Sequence, residues 1–307
     1  MDDEPRTARI TQPRAVLIRI WRNQWFKAFL LAIGLLVALN AFVLRLVTVR
    51  STSMFATLRP GDLLLVQRWA NWTGYARGDM VVFRDPLKDR GPWWRSALLV
   101  KRIAALPGDT LELRDGVLLL NGSQAEEPTG LAFSHLIRLR PNADALSVLR
   151  RHGIPTETVM TGRSSIEAPL TSALRDSLES DRDVISVAPM RLAKGGRMHI
   201  FPFSPRYAWN GDDFGPLVIP QQDDTLRIDA QNLPLYDRLI SIYERHRLSN
   251  SGDQLLIDGL PLERILVEED YCFVLGDSRH FSADSRYWGF LPMNRIEGRA
   301  VLLHRAP

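Results

Sequence analysis

The sequence predicts a mainly β fold carried on one N-terminal transmembrane helix and interrupted by an α-containing insertion. Three observations predict it: one uninterrupted apolar run near the N-terminus, a series of short apolar runs separated by turn signals, and a middle stretch where that pattern decays. With 307 residues and 45% hydrophobic content, the chain is long enough for one or two packed domains. The single cysteine, Cys272, excludes an internal disulfide and a cysteine-rich zinc site, so packing must supply the stability.

The apolar run is Ala28 to Leu44, in which only Asn40 is strongly polar; Lys27 and Arg45 flank it. Its length is at the short end of what spans a bilayer, with Arg45 placed to snorkel, and a transmembrane helix is expected over residues 28–47. A buried core helix would keep a polar stripe, and a cleaved leader would be followed by suitably spaced small residues; neither is present. Arg9, Arg14, Arg19, Arg22 and Lys27 precede the run, so the segment 1–27, which carries a net charge of +3, is expected on the cytoplasmic side. The remainder is close to neutral at +1, so the basic balance describes a membrane flank and not a nucleic-acid surface.

A first β block is expected over residues 48–122. It contains strands at Leu63–Val66, Met80–Phe83 and Ala97–Leu106, then a hairpin over Thr110–Leu120 that turns at Asp115-Gly116. Residues 123–216 read as an insertion, polar and arginine-rich, with a helix expected near Ser165–Ser180. A second β block, 217–307, contains a strand at Thr225–Ile228, an amphipathic helix over Leu235–Arg247 and a hairpin at Asp258-Gly259. Strands at Tyr271–Leu275 and Arg299–Leu303 close the chain.

The chain has no Walker-type phosphate loop, no dinucleotide glycine fingerprint and no histidine pair at metal-ligand spacing, so neither a cofactor nor a metal is expected. Of 39 basic residues only four are lysines: Lys27, Lys88, Lys101 and Lys194. Lys101 lies in the apolar strand Leu98-Leu99-Val100-Lys101-Arg102-Ile103-Ala104. Arginine does not surrender its proton, whereas a desolvated lysine amine can be neutral near physiological pH and act as a general base. A lysine snorkelling from a strand edge is the alternative that spacing alone leaves open. In Val49-Arg50-Ser51-Thr52-Ser53-Met54, two hydroxyls two positions apart face one side if the segment is extended; such a pair can supply a nucleophile and an oxyanion donor, or be a solvated linker.

Four ordered blocks carry a resemblance. Ser51-Thr52-Ser53-Met54-x-x-Thr57-Leu58 with Gly61-Asp62 resembles the nucleophile box of bacterial type I signal peptidases, and Arg77-Gly78-Asp79-Met80-Val81-Val82-Phe83 resembles their second conserved strand. Lys101-Arg102-Ile103-Ala104-Ala105-Leu106-Pro107-Gly108-Asp109 resembles their lysine box, and the segment from Gly276-Asp277-Ser278-Arg279 to Trp288-Gly289-Phe290 resembles their last box. The middle section, including Trp209-Asn210-Gly211-Asp212-Asp213, resembles the enlarged form of some Bacteroidetes-type members.

The resemblance implies the signal-peptidase/LexA-like β fold and a serine endopeptidase that cuts leader peptides from exported preproteins after small residues, of Ala-x-Ala type. It implies Ser53 as nucleophile and Lys101 as general base, Ser51 with the Ser53 amide as oxyanion hole, and Ser282 orienting the lysine amine. Asp277 is implied as partner of Arg102, with Asp284 and Arg286 buttressing the site. Thr52, Leu58 and Val100 are the candidates for lining the substrate groove. The partners implied are signal-peptide-bearing preproteins and the lipid bilayer, and the location is the bacterial plasma membrane with the catalytic part on the outer, periplasmic face. The chain departs from the pattern at Arg50 and Ala56, where proline is usual, and at Ser278, His280 and Phe281, where Asn, Asp and Asn are common. The rival readings are a non-catalytic membrane-anchored export or assembly factor and another Ser/Lys hydrolase, such as a pilus-maturation peptidase or a self-cleaving repressor.

Overall fold

The computed structural model describes residues 24–88, 96–156, 159–162, 165–195, 199–252 and 254–306. The chain forms two compact units, Met1–Arg45 and Leu46–Pro307. In the first, helix α1 runs over Gln24–Phe42 and exposes apolar side chains along its length, Leu31 at 75% and Leu35 at 71% among them. The helix ends five residues before the expected boundary at 47, because Leu44–Thr48 is extended as strand β1. Its uncharged part, from Ala28 on, is therefore only about 22 Å long at 1.5 Å per residue, against a hydrocarbon core of about 30 Å. Among the described residues no helix is long and apolar enough to cross a membrane. Most of the expected cytoplasmic segment, residues 1–23, lies outside the described residues.

The second unit is mainly antiparallel β. Strands β2 (Leu63–Gln67), β3 (Met80–Arg84) and β4 (Leu98–Ala105) form where the apolar runs predict them. They join β18 (Tyr271–Leu275), β19 (Leu291–Pro292) and β20 (Ile296–His304) in a seven-stranded sheet of order β1-β2-β20-β3-β4-β18-β19. One face packs Met54, Leu58, Leu64, Val66, Val82 and Val100, and the other packs Val81, Phe83, Ile103, Val274 and Trp288. Burial on both faces is why β3 and β4 read as continuous apolar runs and not as alternating ones.

A second sheet has the order β12-β5-β6-β7, from β5 (Thr110–Arg114), β6 (Val117–Leu120), β7 (Ser123–Gln124) and β12 (Phe214–Val218). Asp115 (φ 49°) and Gly116 (φ 79°) make the left-handed pair that a two-residue hairpin demands. The second Asp-Gly hairpin also forms, between β15 (Gln254–Ile257) and β16 (Leu260–Pro261).

Between β7 and β12 the inserted stretch contains a packed sheet, β11-β8-β10-β9, made by β8 (Phe133–Leu139), β9 (Met160–Thr161), β10 (Ser165–Leu170) and β11 (Val184–Pro189). Ile137, Ile166, Ala168, Leu170 and Val184 from this sheet bury against Val148 and Leu149 of one helix (Ala145–Arg151) and Leu178 of another (Ser172–Glu179). The helix expected over Ser165–Ser180 is thus a strand followed by a helix. Pro169 has no N–H to give a helix interior, and Thr171 caps the helix that follows by accepting from the Leu174 N–H at 3.2 Å. The helix expected over Leu235–Arg247 is also shorter: Leu233–Arg238 continues as a π turn, Leu239–Tyr243, and stops. There the Glu244 carboxylate turns inward to accept from the Glu268 N–H (3.0 Å) and Tyr271 Oη (3.2 Å), and Arg245 takes φ 62°.

Candidate active site

Three segments of the second unit meet: the loop after β1, the middle of β4, and the loop from Gly276 to helix Ser285–Trp288. The first segment folds into a tight turn, with Phe55 N–H donating to Thr52 O (2.9 Å) and Leu58 N–H to Met54 O (2.6 Å). Met54 and Leu58 are driven into the core, 1% and 0% exposed, which pins the turn and leaves Ser53 at its start. Ser53 Oγ lies 3.1 Å from Ser51 Oγ, so the two hydroxyls do share one side.

Lys101 is 2% exposed, and its Nζ lies 2.7 Å from Ser53 Oγ and 3.1 Å from the Val100 carbonyl. Burial pulls the amine down from its ordinary 10.5 to about 8, against the opposing pull of the Asp284 and Asp277 carboxylates. This is a lysine in contact with a serine hydroxyl and able to lose its proton near neutral pH. Such a pair can take the proton from Ser53 Oγ as the oxygen attacks a carbonyl. Among the described residues the Ser53 N–H has no hydrogen-bond acceptor, and it and the Ser51 hydroxyl, whose oxygen lies 3.1 Å from Ser53 Oγ, are groups that can donate to an oxyanion.

Arg102, next along β4, grips Asp277 through two parallel bonds, Nε to Oδ1 at 2.9 Å and Nη2 to Oδ2 at 2.6 Å, and donates through Nη1 to Gly78 O at 2.6 Å. Thr57 Oγ1 donates to the same carboxylate, a role the sequence reading did not assign. Asp284, fully buried, accepts from the Gly276 N–H (3.0 Å) and from Arg286 Nε (2.9 Å) and Nη2 (2.8 Å). Burial alone would raise its carboxyl; the Arg286 charge and these bonds hold it below the usual carboxylate range. Ser278 N–H donates to the Ser53 carbonyl at 3.0 Å, tying the third segment to the first.

Ser282 is brought to the site, but its buried Oγ has no hydrogen-bond partner among the described residues, and Lys101 bonds Ser53 and Val100. It packs over Gly276, where an added Cβ would fall 2.2 Å from Ser282 Oγ and 2.6 Å from the Ser53 carbonyl. Of the groove candidates, Leu58 is wholly buried and Val100 is 8% exposed in the same core, while Thr52 is half-buried beside Ser53. Neither Gly276 nor Thr57 stood out by residue chemistry; only close approach and a distant partner reveal them.

A family model described as "Signal peptidase, peptidase S26" matches residues 22–158 and 217–304, and so takes in all three segments. The chain belongs to this family. As an S26 peptidase it is a serine protease. It is 28% identical over 182 residues to signal peptidase I of Bacillus licheniformis, covering 59% of this chain and 89% of that protein. Signal peptidase I T of Bacillus subtilis strain 168 is 25% identical over 182 residues, 59% of this chain and 86% of its own. Signal peptidase I P of Bacillus subtilis subsp. natto is 32% identical over 106 residues, 34% of this chain and 53% of its own. The family match breaks over 159–216, inside the stretch that read as an insertion in this S26 peptidase.

Proposed function

We propose that this S26 peptidase removes N-terminal signal peptides from exported preproteins, cutting after small residues, with Ser53 as nucleophile and Lys101 as general base. The observation that carries the assignment is the 2.7 Å contact between a buried lysine amine and Ser53 Oγ. Ser53 Oγ attacks the scissile carbonyl as neutral Lys101 accepts its proton; the oxyanion takes hydrogen bonds from Ser51 Oγ and the Ser53 N–H; Lys101 then returns the proton to the leaving amine. Water deacylates Ser53 by the same route in reverse.

The substrate's conformation follows from β4. Leu98–Arg102 pairs with β3 on one side, but β18 pairs only from Arg102 onward on the other. Among the described residues no strand pairs with the other edge of Leu98–Lys101, which supports binding of the cleavage region as an added strand, delivered next to Ser53. The apolar face that α1 exposes all round, and the basic residues before it, support anchoring in the plasma membrane with the N-terminus cytoplasmic and residues from 48 on outside. From Leu44 to Ser53 an extended chain reaches at most roughly 30 Å, which would keep the serine near the surface where a leader peptide emerges.

The test is cleavage of a model precursor with an Ala-x-Ala site by detergent-solubilised wild type, Ser53→Ala and Lys101→Arg between pH 6 and 10. Cleavage by wild type after the second alanine, with both variants inactive throughout, is expected. Activity in Lys101→Arg would rule out a neutral lysine base, and a folded but inactive wild type would favour a non-catalytic export factor.

A further inference from the structure

The loop between Gly276 and Arg286 reaches Ser53 through the Ser278 N–H, and bonds to Asp284 from Gly276 and Arg286 close it on itself, while Ser278 Oγ is buried with no partner among the described residues. Further support comes from the inserted stretch. Ala132 N–H donates to Asp277 O (2.9 Å), and Ala132 O accepts from the Arg279 N–H (2.8 Å). Gly211 O accepts from Arg286 Nη1 at 3.0 Å.

Between these contacts sits His280, with both ring nitrogens occupied. The Ser134 N–H donates to Nδ1 at 3.0 Å, so the ring proton is on Nε2, which donates to Asp212 Oδ1 at 2.7 Å. Asp212 is 2% exposed; its Oδ2 accepts from the Leu192 N–H (2.8 Å), its carbonyl accepts from the Gly116 N–H (2.9 Å), and Arg191 Nη1 stands 3.7 Å from Oδ1. Burial alone would push its carboxyl up, but the bonds from His280 and Leu192 hold it below the usual range. The Phe133 ring closes over the imidazole edge, 6.0 Å between centroids.

We infer that His280 is a positioning residue: paired with Asp212 and Ser134, it lets the inserted stretch hold the Gly276–Arg286 loop, and through Ser278 the backbone of Ser53, in register with Lys101. This rests on the Ser53–Lys101 reading. It also accounts for a departure from the family pattern, since the aspartate common at this position would set a second carboxylate against Asp212. The histidine and the insertion therefore depend on each other.

The test uses the full chain in detergent. His280→Asp should lower kcat about 10- to 100-fold, the range expected when reacting groups are displaced by about 1 Å. KM should stay within about twofold, because the pair does not touch the edge of β4 proposed to take the substrate. Adding Asp212→Asn should restore part of the loss, since it removes the repulsion between the two carboxylates. Should His280→Asp not fold, His280→Asn keeps an acceptor for the Ser134 N–H while shortening the reach to Asp212, and should show an intermediate loss of kcat. Hydrogen exchange reads the same coupling without cleavage: His280→Asp, or His280→Asn in its place, should speed exchange in peptides covering 276–282. Unchanged exchange there, an unchanged kcat, or a double variant no better than His280→Asp would overturn the inference. A wild type that fails to cut would instead count against the protease reading, and the exchange result would still decide this one.

Discussion

The proposal that Lys101 acts as a base rests on its burial, and burial has two consequences that point in opposite directions. With its proton destabilised to about 8, the neutral form needed for catalysis falls about tenfold per pH unit below that value, so kcat/KM should rise from pH 6 and level off above about 8. A pH–rate profile with no rise across this range would exclude Lys101 as the base. The same shift costs stability. Folded Lys101 releases its proton at about 8 and the unfolded side chain only near 10.5, so the unfolded state binds more protons between these values and stability from this group rises with pH across that window. At pH 7 the full penalty applies, on the order of 3 kcal/mol. Lys101→Met should therefore abolish cleavage yet raise Tm at pH 7, with the gain shrinking toward pH 10; calorimetry at both pH values checks it. Lysine scarcity and the two-residue serine spacing left a snorkelling lysine and a solvated linker open, and it was the resemblance of four ordered blocks that singled these residues out. Ser282 was legible as a neighbour but not in its contacts, since spacing does not reveal that its hydroxyl rests on Gly276.

A strand announces itself when its apolar residues have no choice of face, and β3, β4 and β18, buried on both sides, were readable for that reason. Both Asp-Gly turns were readable because few residues accept positive φ in succession. The misread elements are those whose limits depend on distant partners. The helix near 240 stops where Glu244 is drawn to Tyr271, and α1 stops where β1 pairs into a sheet. Gly276, at the end of β18, belongs to the same class: no turn geometry singles it out, only the backbone of Ser53 beyond it. Gly276→Ala should cut kcat by about 100-fold, because the added methyl must displace Ser282 or the Ser53 carbonyl. Wild-type kcat in a folded Gly276→Ala protein would mean that the loop adjusts freely and that the close packing has no catalytic consequence.

For the molecule as a whole, the division near Arg45 predicts separable duties. A chain starting at Leu44 should cleave a short soluble peptide with unchanged kcat, and should lose about 10²- to 10⁴-fold in rate on a precursor embedded in vesicles, where shared anchoring raises effective concentration. Equal losses on both substrates would mean that the first unit supports the fold and does not concentrate the substrate. The inserted stretch was the least legible part, because its core residues, from Ile137 to Val184, are thinly spread among arginines and meet only through antiparallel pairing. Across the whole chain the same preference for arginine leaves four lysines, of which Lys27, Lys88 and Lys194 are exposed and Lys101 alone is enclosed. Lysine labelled with carbon-13 at the ε position would therefore give a spectrum of four resonances. The Lys101 resonance should titrate at about 8, so the protonation state of the proposed base can be followed in the intact protein without substrate.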